Sequence, residues 1–94
     1  MAEISQQANQ WHVSGDLLMD NACKILDQSV DLEMVDNLEV DFSAVTDVDT
    51  SALSLMMEWQ RRAATANHQI KFTHLPVNLT SLADLYGVKE FIHY

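Results

Sequence analysis

The chain has 94 residues, with 14 acidic and 5 basic side chains and a formal net charge of −9. A surface this acidic repels phosphates, so we expect neither nucleic acid nor an anionic membrane as a direct partner. The single cysteine excludes an internal disulfide and a cysteine-based metal framework. No signal peptide and no apolar run of the ~20 residues needed for a membrane span are evident. We therefore predict one cytoplasmic domain over residues 1–94.

The first part of the chain predicts a pair of strands. Residues 10–14 alternate, with Trp11 and Val13 on one side, and Gly15 and Asp16 form a turn that ends the strand. Ile4 and Ala8 indicate an earlier strand that pairs with it.

Helical spacing of apolar residues predicts the first helix over residues 19–30. Asp20 or Asn21 is the expected cap at its start. Cys23 lies within this segment, and we expect its side chain to be a small buried apolar group.

A third strand is predicted over residues 38–42, followed by a loop over residues 43–49 and a long helix over residues 51–66. The expected buried face of that helix consists of Leu53, Met56, Met57, Gln60, Ala63 and Ala64. Leu55 and Trp59 form a second apolar stripe. A helix that is apolar on two sides is either deeply buried or docks a partner, and the pattern alone leaves both readings open.

The last part of the chain predicts a strand over residues 69–73 and then a short helix. Asn78 is the expected cap of that helix, and Gly87 is placed to end it in the left-handed conformation. Its expected buried face carries Leu79, Leu82, Ala83 and Tyr86. Residues 88–93 form a tail whose Val88, Phe91 and Ile92 are expected to pack back on the core.

Alternating strands and helices with short connections predict an α/β fold. We expect a small mixed sheet of four to five strands, with parallel pairs and with the helices packed mainly on one face. In such folds, ligands and partners are bound where strands end and helices begin.

That edge carries Asp47, Asp49, Thr50 and Ser51. Thr50 or Ser51 can cap the long helix, which is the simplest interpretation of these residues. A half-exposed hydroxyl here could also accept a phosphoryl group, because the helix N-terminus favours added negative charge. Asp47 and Asp49 alone make a weak divalent-ion site, and the scattered histidines lack zinc-ligand spacing, so we predict no metal and no cofactor. The sequence contains neither a nucleophile elbow nor a phosphate-binding glycine loop, so we predict that the chain is not an enzyme.

The segment VDFSAVTDVDTSAL at residues 40–53 resembles the signature of the STAS-domain family, and SGDL at residues 14–17 resembles that family's second-strand turn. The segment LADLYGV at residues 82–88 is similar to the C-terminal helix of the family's MlaB-type branch. This resemblance implies a non-catalytic STAS subunit that binds an MlaF-like ATPase of a phospholipid-transporting Mla-type ABC transporter. It would then lie at the inner membrane through that complex and help to maintain outer-membrane lipid asymmetry.

The resemblance also implies an alternative, an anti-sigma-factor antagonist that a partner kinase switches by phosphorylation at Thr50. A third alternative, nucleotide binding at the helix start, is disfavoured by the acidic loop. The family usually has a glycine shortly after the hydroxyl residue, where this chain has Ser51 and Ala52, and those side chains limit close backbone approach. The expected regulatory or partner-binding residues are Asp49, Thr50, Ser51, Leu55 and Trp59.

Overall fold

A computed structural model describes residues 2–88 of the chain. The elements in chain order are β1 (Glu3–Gln7), β2 (Gln10–Leu17), α1 (Met19–Ser29), β3 (Leu38–Val48), α2 (Thr50–Thr65), β4 (Ile70–Thr73) and α3 (Val77–Leu85). Val88 packs partly against the core. The predicted packing of Phe91 and Ile92 lies outside the described residues.

The four strands form one sheet in the order β1-β2-β3-β4. β1 pairs antiparallel with β2, whereas β2 with β3 and β3 with β4 are parallel. The two parallel pairs are joined by the crossovers through α1 and α2. The predicted α/β fold with a mixed sheet is therefore confirmed.

β2 and β3 are both longer than the sequence pattern predicts. The expected turn at Gly15 and Asp16 is wrong, because β2 runs on to Leu17 and Gly15 sits inside it with φ +85. The expected loop over residues 43–49 is also wrong, because β3 continues to Val48. Two register shifts between these strands interrupt the alternation that would have revealed the extra pairs.

The two faces of the sheet differ in chemistry. Side chains on one face are apolar and buried, as at Trp11, Val40 and Phe72. The intervening residues, such as His12 and Asp41, are partly exposed and polar. Helices therefore cover one face, with α2 packed between α1 and α3, and the other face is open.

Aromatic rings fill the centre of the covered face. Trp11 and Trp59 meet edge to face with ring centroids 5.5 Å apart, and Phe42 meets Phe72 in the same way at 6.0 Å. Trp59 also stacks on Phe72 at 6.5 Å. Such pairs add about 0.5–1.5 kcal/mol each beyond the area they bury. The large side chain of Trp59 thus packs α2 against strands β2 and β4.

The helix starts differ from the sequence expectations. Leu18 rather than Asp20 or Asn21 precedes α1, and it contributes no side-chain cap. Pro76 precedes α3, which places Asn78 inside the helix and corrects its expected role as the cap. Tyr86 was expected on the buried face of α3, but its side chain is 60% exposed.

Helices α2 and α3 end in the same way. After α2, the residue in the left-handed region is Asn67, and the next N–H, of His68, donates to the Ala63 carbonyl at 2.8 Å. After α3, Gly87 takes the same position with φ +70, and Val88 N–H donates to the Ala83 carbonyl at 3.0 Å. Both are Schellman ends, and the predicted role of Gly87 is confirmed.

Within residues 2–88, no helix is both long enough and apolar enough to cross a bilayer.

Candidate docking site at the start of the central helix

A single carboxylate fixes the starts of two helices. Asp49 follows β3, and its Oδ1 accepts the N–H of Ser51 at 2.8 Å in the first turn of α2. Its Oδ2 accepts the N–H of Met19, the first residue of α1, at 2.9 Å. Helix starts carry unpaired N–H groups and a positive dipole end, so a carboxylate is stabilising at both. Asp49 therefore holds α1 and α2 in a fixed relative position.

Asp49, and not Thr50 or Ser51, is the N-cap of α2, which corrects the expectation from the sequence. Thr50 is exposed, whereas Ser51 is half-buried. Because capping is done by Asp49, the hydroxyl of Thr50 remains at the surface in the first turn of α2. Its surroundings combine the positive helix end with the negative charge of the adjacent carboxylate.

An apolar groove of about 200 Å³ begins beside Ser51 and runs between α1 and α2. Its lining residues are Met19, Ala22, Cys23, Leu26, Ser51, Ser54 and Leu55. Met19 is 72% exposed at the mouth of this groove. Cys23 is also exposed, which corrects the expectation that it would be buried. An accessible apolar groove next to a surface hydroxyl is suited to contact with another protein.

The second apolar stripe of α2 belongs to the core. Trp59 has no exposed surface, and its Nε1 donates to Ser29 Oγ at 2.9 Å. Leu55 is only 3% exposed and forms part of the groove floor. The Trp59 side chain therefore has no exposed surface for the predicted partner contact, and Leu55 can be reached only from within the groove. Met57, expected in the core, is instead 40% exposed.

The family model described as Mlab, STAS domain matches residues 1–93. The chain belongs to the STAS-domain family. The resemblance to the STAS-domain family is thus confirmed, with a match over nearly the whole chain. No curated protein matches the chain significantly.

Two solved structures share the fold of this STAS domain. The anti-sigma factor antagonist SpoIIAA in its unphosphorylated form has a TM-score of 0.64 at 12% identity, and the match covers 100% of this chain and 86% of that one. A structure described as Crystal Structure Analysis of Mglu has a TM-score of 0.62 at 17% identity, over 80% of this chain. The second match covers only 20% of its own chain, so the STAS domain corresponds to a fifth of that protein.

The open sheet face of the STAS domain carries a polar cluster that the sequence pattern did not reveal. Asp41 lies between His12, whose Nδ1 is 3.3 Å from Oδ2, and His74, whose Nδ1 is 2.9 Å from Oδ1. Burial raises the pKa of Asp41, but hydrogen bonds from Ser43 and His74 outweigh it and hold that pKa below its usual value. The three side chains come from different strands or a turn, so no sequence spacing connects them.

Each of the two acids proposed as a weak ion site accepts hydrogen bonds from the backbone. Asp47 is exposed, and its Oδ1 accepts the N–H of the next residue, Val48, at 2.9 Å. Both carboxylate oxygens of Asp49 are engaged by helix N–H groups. Among residues 2–88, no group of three or more His, Cys, Asp or Glu side chains is arranged to hold a metal ion.

Proposed function

We propose that the chain is a non-catalytic STAS subunit that binds and regulates the ATPase of an Mla-type phospholipid-transporting ABC transporter. Such a subunit works in the cytoplasm, reaches the inner membrane through the transporter, and serves outer-membrane lipid asymmetry. The observation that carries the proposal is the surface formed by Thr50 and the apolar groove beside it, in a chain that matches the Mlab, STAS domain model over residues 1–93.

The geometry favours protein docking over chemistry at this surface. Thr50 offers a hydroxyl, and Met19 offers an exposed apolar side chain at the groove mouth. Exposed methionine and a floor of buried leucine provide the apolar centre that protein interfaces use. Asp49 is occupied in holding the two helices and is therefore a positioning residue for the surface.

Co-purification with the cognate Mla-type ATPase tests the proposal. We expect Thr50→Glu to weaken binding by about tenfold or more, because it buries an unpaired charge in the interface. Thr65→Glu is the matched control, since Thr65 is exposed about 22 Å along the same helix. Equal binding of Thr50→Glu and wild type would show that Thr50 does not lie in the interface.

A second pair of variants tests the groove. Met19→Glu places a charge at its mouth, and Val30→Glu places the same charge at the other end of α1. The two parent side chains are similarly exposed, at 72% and 64%, so neither change disturbs the core. We expect only Met19→Glu to weaken ATPase binding. Equal losses in both variants would indicate a general charge effect instead of docking in the groove.

The alternative function is an anti-sigma-factor antagonist that is switched by phosphorylation at Thr50. The exposed hydroxyl in the first turn of α2 favours it, and so does the fold shared with SpoIIAA. Mass spectrometry after incubation with the cognate kinase distinguishes the two functions. Phosphate on Thr50 that releases a kinase partner supports the switch, and an unmodified Thr50 beside an active kinase excludes it.

A further inference from the structure

A second recess lies at the opposite end of α2 from Thr50, so a ligand bound there would be independent of the proposed function. The recess has a volume of about 240 Å³. Its lining residues are Trp11, Ser29, Val30, Leu32, Met34 and Arg62. Apolar side chains form most of the wall, and Arg62 supplies a positive charge.

Arg62 is held in place by a buried serine. Its Nη1 donates to Ser29 Oγ at 3.0 Å, and the same oxygen accepts from Trp59 Nε1 at 2.9 Å and donates to the Leu26 carbonyl at 2.6 Å. A hydroxyl has one donor and two acceptor positions, so Ser29 is fully used. A guanidinium has five N–H donors, and Ser29 takes one of them. The charge of Arg62 is thus positioned but not neutralised by Ser29.

The neighbouring arginine shows the contrast. Arg61 is exposed and forms a two-point contact with the carboxylate of Glu58, with Nη2 and Oε1 2.6 Å apart. Among residues 2–88, no carboxylate forms an ion pair with Arg62, although the chain has 14 acidic side chains. The pKa of Glu58 is lowered mainly by its hydrogen bond from Arg61 and to a lesser extent by the charge of Arg62. The half-buried Arg62 therefore lies beside the recess near Glu58 but without a directly paired carboxylate from the described part of the chain.

Trp11 provides an independent indication of a missing acceptor. Its side chain is fully buried, and no described residue accepts a hydrogen bond from its Nε1. A buried donor without a partner costs about 1–3 kcal/mol, so such groups are rare unless a ligand or water satisfies them. Trp11 lines the same recess as Arg62.

We propose that this recess binds the carboxylate of a small acid with an apolar body. Arg62 binds the carboxylate, the Trp11 indole N–H donates to one of its oxygens, and the walls at Val30, Leu32 and Met34 pack on the apolar part. One guanidinium matches a single negative charge, and the net charge of −9 disfavours a dianion such as phosphate. Because Nε1 is buried, the oxygen reaches it only if the wall of the recess moves, and the wall residues Leu32 and Met34 belong to a segment without helix or strand.

Nuclear magnetic resonance of the whole chain tests this site, because the indole N–H groups of Trp11 and Trp59 give separate signals that Trp11→Phe assigns. The probes are hexanoate, N-acetylleucine and N-acetylleucinamide. Hexanoate represents a free acid, N-acetylleucine represents a peptide C-terminus, and the amide lacks the charge. We expect at least one carboxylate to shift the Trp11 indole signal saturably and the amide to leave it unchanged. Which carboxylate binds more tightly identifies the source of the ligand.

Two charge-matched variants complete the test. Arg62→Gln should weaken carboxylate binding by about tenfold or more, because a charged hydrogen-bonding partner is lost. Arg61→Gln, with the same change of charge one residue earlier, should bind as wild type does. Arg62→Lys keeps the charge and, if Arg62→Gln unfolds, serves in its place with weaker binding expected. An unshifted Trp11 signal, equal shifts with the amide, or equal losses in Arg61→Gln and Arg62→Gln would each overturn the proposal.

Discussion

The two ends of α2 obey the same electrostatic rule but present different surfaces. At the N-terminal end, Asp49 meets the positive end of the helix dipole, and at the C-terminal end Arg62 meets the negative end. The polar groups that remain at the surface differ between the two ends. The first end leaves the hydroxyl of Thr50 beside an apolar groove, whereas the second leaves N–H donors beside a recess.

This difference is the reason why we propose a different kind of partner for each end of α2. Asp49 directs each of its two carboxylate oxygens at a helix N–H group, and the surface beside it is the apolar groove. Arg62 donates one of its five N–H groups to Ser29, and its remaining donors are the ones we propose for a carboxylate ligand. The two ends therefore differ in what holds the charged group, two helix N–H groups for Asp49 and one side-chain hydroxyl for Arg62, and not only in the sign of the charge.

The largest expected effect comes from the C-terminal end. Ser29→Ala removes the acceptor of the buried Trp59 N–H and the anchor of Arg62, so we expect the free energy of unfolding to fall by about 2–3 kcal/mol. Urea denaturation measures it, with Ser81→Ala on the exposed side of α3 as the control. In a Trp59→Phe background the cost of Ser29→Ala should shrink, because no indole N–H is left unpaired. An unchanged cost would show that Ser29 does not stabilise the fold by accepting the Trp59 N–H.

The N-terminal end should respond less. Asp49→Ala removes the cap of α2 and the acceptor of Met19 N–H, and we expect a loss of about 1–2 kcal/mol in the free energy of unfolding. Asp47→Ala is the matched control, because its exposed carboxylate contacts only the next N–H, and it should stay within about 0.5 kcal/mol of wild type. If the two variants were equally stable, Asp49 would not join the two helices. The N-terminal end of α2 would then not be organised by this carboxylate.

The sequence predicts the order and type of the elements well, because apolar periodicity reports burial directly. It misses the second half of β3, where residues 43–48 show no alternation. There the register of β3 against β2 shifts at two places, and each shift changes which residues face the core. Alternation is thus lost although the hydrogen-bonded pairs, such as Gly15 with Val45, continue.

The candidate site is predicted in position but not in its roles. Asp-Thr-Ser between a strand and a helix predicts a capped helix start, yet any of the three can cap, and only tertiary packing selects Asp49, whose second oxygen serves α1. The stripe of Leu55 and Trp59 could not be assigned from spacing, because α2 is flanked on both sides by α1 and α3. Likewise, the contacts of Ser29 with Trp59 and Arg62 join residues 30 and 33 positions apart, which no local pattern reveals.

The smallest expected effect concerns Asp41, which lies on the open sheet face and belongs to neither end of α2. Since its pKa is lowered from 3.8 in the folded chain, the unfolded chain binds this proton more readily. Its stabilising contribution is therefore complete above about pH 4 and is lost as the pH falls through the lower, folded-state value. Urea midpoints at pH 6 and pH 3 should differ more for wild type than for Asp41→Asn, while the exposed control Asp31→Asn keeps the wild-type difference. Asp41→Asn should leave binding at both ends of α2 unchanged, and a loss at either end would show that the open face is coupled to it.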